Sequence, residues 1–268
     1  MTEKKITIIG GGNLGRAIAE GLLSGGHHAA ASITITRRQT AKLADLAEQG
    51  VQVTADNAQA ASTADVIVLA IKPHQIIDVL REINPVLRAT EQMLISVVTG
   101  VSIAEMQEVC GERISLFRAM PNTAIAIRES MTCVATSNAS AAEQDYVVQL
   151  FNKLGKAVMI NEEYMQAATV LAACGVAYSL RYIRAASQGG IEIGFDAQTA
   201  QLIAAQTVKG SASLLLEQGR HPESEIDKVT TPMGCTIAGL NEMEHQGFSS
   251  ALIKGILTSF YKIADIKK

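Results

Sequence analysis

The sequence predicts an α/β chain in two parts: a doubly wound sheet domain over residues 1–161 and an all-α domain over residues 162–268. Three observations predict it. Short β-branched runs alternate with helix-period stretches up to about residue 160. A glycine-rich turn, Gly10-Gly11-Gly12-Asn13-Leu14-Gly15, joins the first run to the first helix. No convincing strand follows Glu162. Alternating strands and helices belong to a parallel sheet covered on both faces, whereas uninterrupted helices make a layer of their own.

The elements follow in order. Ile6–Ile9 is a strand, residues 14–23 a helix rich in Ala and Leu, Ile33–Thr36 a second strand and residues 41–47 a helical stretch. Residues 66–71 are apolar at every position, as expected of a strand buried on both faces in mid-sheet. Further strands are expected at residues 93–98, 114–117, 131–135 and 157–160, the last two flanking a helix at 141–154. Beyond the boundary, residues 164–188 read as one long helix. Residues 196–217 read as another, with Asp196 as its N-cap. Pro222–Val229, Cys235–His245 and residues 249–266 complete the helical part. Long apolar helices of this kind call for a second copy of the chain to cover them.

Composition narrows the function. With 48% apolar and 18% charged residues the chain is globular rather than disordered. A net charge of −3 gives no basic excess for a nucleic-acid backbone, and 4% aromatics with no Trp offer few stacking platforms. No apolar run is long enough to span a bilayer, and the first one is too short for a secretory leader. Cys110, Cys133, Cys174 and Cys235 show no metal-ligand spacing, so no metal is expected, and a reducing, cytoplasmic setting is.

The glycine turn carries the chemistry. Gly10 permits the tight turn, Gly12 lets a pyrophosphate reach the backbone, and Gly15 lets the helix approach the strand. Asn13 and Leu14 open the helix, whose free N–H groups attract phosphate. This pattern between a strand and a helix marks a Rossmann-type dinucleotide domain. The second strand ends Thr36-Arg37-Arg38 with no carboxylate for a ribose 2′-hydroxyl. Arg37 or Arg38, with Thr36, suits a 2′-phosphate, which favours NADP(H) and leaves NAD(H) as the alternative. Lys72 follows the apolar strand, at the end where such sheets bind ligands. An ordinary exposed lysine is an equal reading from spacing alone.

These residues, taken with others downstream, resemble the pyrroline-5-carboxylate reductase family. The likeness includes Ala70-Ile71-Lys72-Pro73, Arg118-Ala119-Met120-Pro121-Asn122-Thr123, Gly175-Val176-Ala177-Tyr178, Gln206-Thr207-Val208-Lys209-Gly210, His221-Pro222 and Thr231-Pro232-Met233-Gly234-Cys235-Thr236. It covers nearly the whole chain. The resemblance implies an all-α dimerisation domain, an active site between the domains, a homodimer through the C-terminal helices and further assembly into a decamer. It implies that Asn57 meets the adenosine ribose, and that Ala70, Lys72, Pro73 and Thr99 lie on the nicotinamide side; Met120 either lines that pocket or merely packs. It also implies that Cys235 and Thr236 hold substrate, a small cyclic imino acid.

The residues agree with that second site. Met233, Gly234, Cys235 and Thr236 precede a predicted helix, where backbone amides can cradle a carboxylate without a basic side chain. Thr236 is the candidate catalytic residue, its hydroxyl placed to orient or relay a proton at the ring nitrogen; a hydroxyl that serves only the helix backbone is the plainer alternative. The expected reaction is NADPH-dependent reduction of 1-pyrroline-5-carboxylate to L-proline. Two departures keep other readings open: Met233 stands where the family usually has glycine, and Val176 where it has proline. The alternatives are reduction of a different cyclic imine on the same fold, or a non-catalytic dinucleotide-binding paralogue. Hydroxyacid dehydrogenases of this architecture carry a catalytic Lys on the long interdomain helix, and residues 164–188 contain none.

Overall fold

The computed structural model describes residues 3–26 and 28–266. Contacts divide the described residues into two compact units, one up to residue 174 and one over residues 175–266. The first holds β1 (Ile6–Ile9), α1 (Asn13–Ser24), β2 (Ile33–Thr36), α2 (Ala44–Glu48), β3 (Gln52–Thr54), α3 (Asn57–Thr63), β4 (Val66–Leu69) and α4 (Ile76–Ile83). It continues with β5 (Met93–Ser96), α5 (Ile103–Cys110), β6 (Ser115–Met120), β7 (Ser130–Thr136), α6 (Ala141–Asn152), β8 (Gly155–Met159) and α7 (Met165–Ala168).

The eight strands form one sheet in the order β3-β2-β1-β4-β5-β6-β7-β8. The first six run parallel, and the chain reverses between β6 and β7. Apolar residues on both strand faces explain the double winding. Ile6, Ile8, Val66, Val68, Met93 and Ile95 pack with Ile18 and Leu22 of α1 and Phe151 of α6. Their neighbours Ile9, Ile67, Leu69 and Leu94 point the other way, against Ala61 of α3, Leu80 of α4 and Met106 of α5. Strand order reverses about β1, whose partners are β2 and β4. That is where an open α/β sheet leaves a crevice.

Some expected bounds shift. Residues 70–71 and 97–98 lie outside strands β4 and β5. The stretch 41–47 begins as a 3-10 turn, Thr40–Leu43, before α2. Strand β6 runs on to Met120 because β7 pairs with it there. The single helix expected over 164–188 is interrupted: α7 leads into a π-helical segment, Thr169–Cys174, before α8 (Gly175–Glu192). Within it, Asn122 Nδ2 donates to the Ala172 carbonyl at 3.3 Å, and a side chain bonded to a helix carbonyl is a usual companion of such a widened ladder. The expected boundary after residue 161 falls ahead of the division of contacts, because Met165, Thr169 and Val170 are buried with the sheet unit.

The second unit comprises α8, α9 (Ala197–Gln218), α10 (Pro222–Val229), α11 (Cys235–His245) and α12 (Phe248–Ile266). Asp196 caps α9 as expected, accepting from the Gln198 and Thr199 amides at 3.0 Å each. Tyr178 and Ser259 share a hydroxyl hydrogen bond of 2.6 Å. Leu180, Ile193, Leu202, Leu216 and Ile253 stay more than half exposed.

Candidate active site

The glycine turn lies at the reversal of strand order. Gly10 takes φ +109°, and a Cβ there would sit 2.4 Å from the Ala70 carbonyl oxygen, so the ends of β1 and β4 meet only through a glycine. Gly15 is required for packing: its Cβ would fall 2.1 Å from the Gly10 carbonyl oxygen. Gly12 is different. Its φ of −80° suits any residue, and no heavy atom lies within 4 Å of its Cβ position. The fold does not demand this glycine; the space beside it does.

That space is a cavity of about 860 Å³. Gly10, Gly12, Asn13, Leu14, Thr36, Arg37, Arg38, Asn57, Ala70 and Lys72 line it, which brings together most of the predicted cofactor residues. Gly15 supports the turn from behind. Pro73, Thr99 and Met120 are not in the lining. Pro73 starts a 3-10 turn, and the Thr99 hydroxyl faces the Met120 sulfur at 3.8 Å. Gly12 is the N-cap of α1 and gives it no side-chain cap, so the first amides of the helix remain available to an anion.

The second strand closes the far side. The Gly10 and Gly11 amides donate to the Thr36 carbonyl at 3.3 and 2.7 Å. Arg37 donates from Nη1 to the Gly11 carbonyl at 2.5 Å, so this arginine ties the glycine turn to β2. Arg38 is exposed at the rim and forms no ion pair among the described residues. The buried Thr36 hydroxyl donates to Asn57 Oδ1 at 2.6 Å, and Asn57 Nδ2 donates to Glu82 Oε2 at 3.0 Å. Glu82, with Gln75 and Val79, also lines the cavity. Sequence reading missed these three. Their i, i+4, i+7 spacing on α4 and the preceding turn is the signal that places them on one face.

The residues fit a dinucleotide: an open glycine, an uncapped helix N-terminus for pyrophosphate, and hydroxyl, amide and guanidinium groups at the ribose end. Gly12, Asn13 and Leu14 would hold the phosphates, with Gly10 lining the cavity but donating its amide to Thr36, and Thr36, Arg38 and Asn57 would meet the adenosine end.

In the helical unit, the expected substrate residues form the entry to α11. Gly234 is its N-cap, again without a side-chain cap. A Cβ on Gly234 would lie 2.6 Å from Thr231 Oγ1 and 2.9 Å from the Thr231 carbonyl oxygen. Met233 takes φ +61°, a left-handed conformation that explains the glycine usual at this place. Cys235 and Thr236 are exposed in the first turn. Among the described residues no cluster of His, Cys, Asp or Glu could hold a metal, and no helix is long and apolar enough to cross a membrane.

A doubly wound sheet with a dinucleotide pocket at its switch point, joined to a helical unit, defines a nicotinamide-dependent oxidoreductase. Two family models match accordingly: NADP oxidoreductase, coenzyme F420-dependent, over residues 5–100, and pyrroline-5-carboxylate reductase dimerisation over residues 162–265. The chain is 43% identical to pyrroline-5-carboxylate reductase 2 of Dictyostelium discoideum, over 97% of its own length and 92% of that protein's. It is 45% identical to pyrroline-5-carboxylate reductase 1 of the same organism over 98% of its length, spanning 50% of that longer protein. A solved pyrroline-5-carboxylate reductase from Coxiella burnetii matches with a TM-score of 0.93 at 29% identity, over 99% of each chain. The chain belongs to the pyrroline-5-carboxylate reductase family.

Proposed function

We propose that this chain reduces 1-pyrroline-5-carboxylate to L-proline with NADPH. The observation that carries the reading is continuity. The likeness to the Dictyostelium reductase covers 97% of the chain, and so spans both the glycine turn and the Thr231–Thr236 segment. NADPH, when bound, would supply the hydride that the imine carbon takes up. The chain's own residues bind and orient. The α1 amides take the pyrophosphate and Lys72 and Ala70 flank the path toward the nicotinamide, with Pro73, Thr99 and Met120 on that side. At α11, the amides of Cys235 and Thr236 hold the substrate carboxylate against the positive end of the helix, while Gly234 shapes the entry by donating its own amide to the Thr231 carbonyl at 2.9 Å. The Thr236 hydroxyl oxygen accepts from the ring N–H and so favours the protonated imine, whose carbon is the better hydride acceptor. Placement of donor and acceptor does most of the work, so no charged general acid is required.

Assembly belongs to the same proposal. The exposed apolar residues of α8, α9 and α12 support a homodimer through the C-terminal helices, and the family resemblance supports dimers joined into a decamer. The four free cysteines suit a cytoplasmic setting. Met233 favours a second reading, in which a different cyclic imine is the better substrate, because an L side chain occupies a loop position built for glycine.

NADPH oxidation with 1-pyrroline-5-carboxylate beside its six-membered analogue tests both readings. Faster turnover of the five-membered ring is expected; preference for the larger ring establishes the second reading, and NADPH binding without turnover of either removes both. Thr236→Ala is expected to lose turnover and keep NADPH affinity. An unchanged kcat takes Thr236 out of the chemistry.

A further inference from the structure

Among the described residues, Glu82 is the one carboxylate in the cavity lining. It lies on α4, away from the strand-end position where a ribose-binding acid is normally sought, and it enters the pocket through Asn57. The chain of contacts runs Thr36 Oγ1 to Asn57 Oδ1 at 2.6 Å, then Asn57 Nδ2 to Glu82 Oε2 at 3.0 Å. Both ends of the Asn57 amide are thereby engaged, which fixes its orientation. The Thr36 hydroxyl is buried and its oxygen also lies 3.4 Å from the Gly10 amide, so the chain is anchored in the glycine turn. Arg38 lines the same cavity with the opposite charge, while Arg37 is occupied with the Gly11 carbonyl.

We propose that Glu82 is a specificity-determining residue for the dinucleotide: its hydrogen bond positions Asn57, and its charge weakens the pocket's preference for a 2′-phosphorylated ribose. The inference rests on the reading above that Thr36, Arg38 and Asn57 face the adenosine ribose. A 2′-phosphate adds close to two negative charges there, and a carboxylate one side chain away repels them while leaving an unmodified ribose almost unaffected. Arg38 pulls the other way. The balance between Arg38 and Glu82 thus sets the discrimination, although no acid stands at the end of β2.

The two roles separate by substitution. Glu82→Gln keeps an acceptor for Asn57 Nδ2 and removes the charge; Glu82→Ala removes both. Binding of NADPH and of NADH is measured by fluorescence titration at low and high salt, with Arg38→Ala alongside. Glu82→Gln is expected to raise the affinity ratio of NADPH to NADH by about threefold to tenfold at low salt, an effect that shrinks as salt screens it. Glu82→Ala is expected to weaken both dinucleotides. Arg38→Ala is expected to weaken NADPH alone. An unchanged ratio in Glu82→Gln, with Arg38→Ala still selective, overturns the role of Glu82 and leaves the pocket reading intact. If Arg38→Ala also leaves the ratio unchanged, the placement of the ribose end fails, and the inference with it.

Discussion

Arg118 and Glu162 form an ion pair of 2.9 Å from Nη1 to Oε1 that ties β6 to the turn leading into α7. The same Glu162 oxygen accepts from the Ile103 amide at 2.8 Å, at the first turn of α5. One carboxylate therefore holds a buried cation and an orphan helix donor together. Arg118 is only 6% exposed, so loss of its partner strands a charge out of water. Glu162→Ala is expected to lower the unfolding free energy by about 3 kcal/mol. Glu162→Gln keeps the bond to Ile103 and loses less. Adding Arg118→Met to Glu162→Ala is expected to recover part of the loss, and denaturant titration of the parent, Glu162→Ala, Arg118→Met and the double variant measures the coupling. Purely additive losses would show that the pair is not coupled.

Gly12 and Gly15 separate two reasons for a glycine in one motif. At Gly15 the obstacle is backbone, 2.1 Å from the Cβ position, and at Gly12 nothing is near. Gly15→Ala is expected to destabilise the chain by roughly 1–3 kcal/mol, the usual result of forcing atoms into a filled site. Gly12→Val is expected to melt near the parent temperature and lose NADPH binding. Thermal melts paired with fluorescence titration check both, and a Gly12→Val chain that binds NADPH normally would move the pyrophosphate elsewhere.

The runs of β1, β2 and β4 were legible because Ile, Val and Leu alternate there only with Thr, which is β-branched too and suits a strand. The glycine turn was legible because its spacing has a mechanical reason. Strand β3 was not: it has three residues on the sheet edge, with Gln52 exposed. Helices α3, α4 and α5 are short, and their apolar stripes hold few residues each. Glu82 was missed because its role depends on contact with Asn57, 25 residues earlier, which no local pattern carries. Cys235–His245 was read with its bounds correct, since Pro232 and Gly234 punctuate its start. The π-helical segment was hidden, because no local spacing marks it; the side chain that bonds its Ala172 carbonyl, Asn122, stands 50 residues away.

Met233 carries a cost that its side chain does not offset. Its φ of +61° is left-handed, which costs an L residue roughly 1–2 kcal/mol, and the side chain is fully exposed at 103%. Met233→Gly relieves that strain while adding freedom to the unfolded chain, a partial offset of about 0.5–1 kcal/mol. The variant is expected to be more stable by about 0.5–1 kcal/mol. Its KM for 1-pyrroline-5-carboxylate is also expected to fall relative to that for the six-membered analogue. Denaturant titration and paired kinetics measure the two effects; a less stable variant would mean that the loop takes another conformation.

Tyr146 sets a stability limit at alkaline pH. Its hydroxyl is buried without a hydrogen-bond partner among the described residues, and Lys4 Nζ lies 5.5 Å from the ring centroid. Burial, helped by the Asp65 and Glu3 carboxylates, pushes the phenol up to about 12. The unfolded chain releases this proton near the ordinary value of about 10, while the folded chain still holds it. Stability from this group is therefore whole below about pH 10, declines as pH climbs from about 10 to 12, and levels off above that. Tyr146→Phe is expected to remove that part of the alkaline decline. At pH 7 the same change deletes an unpaired buried hydroxyl and is expected to stabilise by on the order of 1 kcal/mol. Melting curves from pH 7 to 12 on both chains, read beside tyrosinate absorbance, check both consequences. If Tyr146→Phe melts lower at pH 7, the hydroxyl has a partner and the argument for its late titration falls with it.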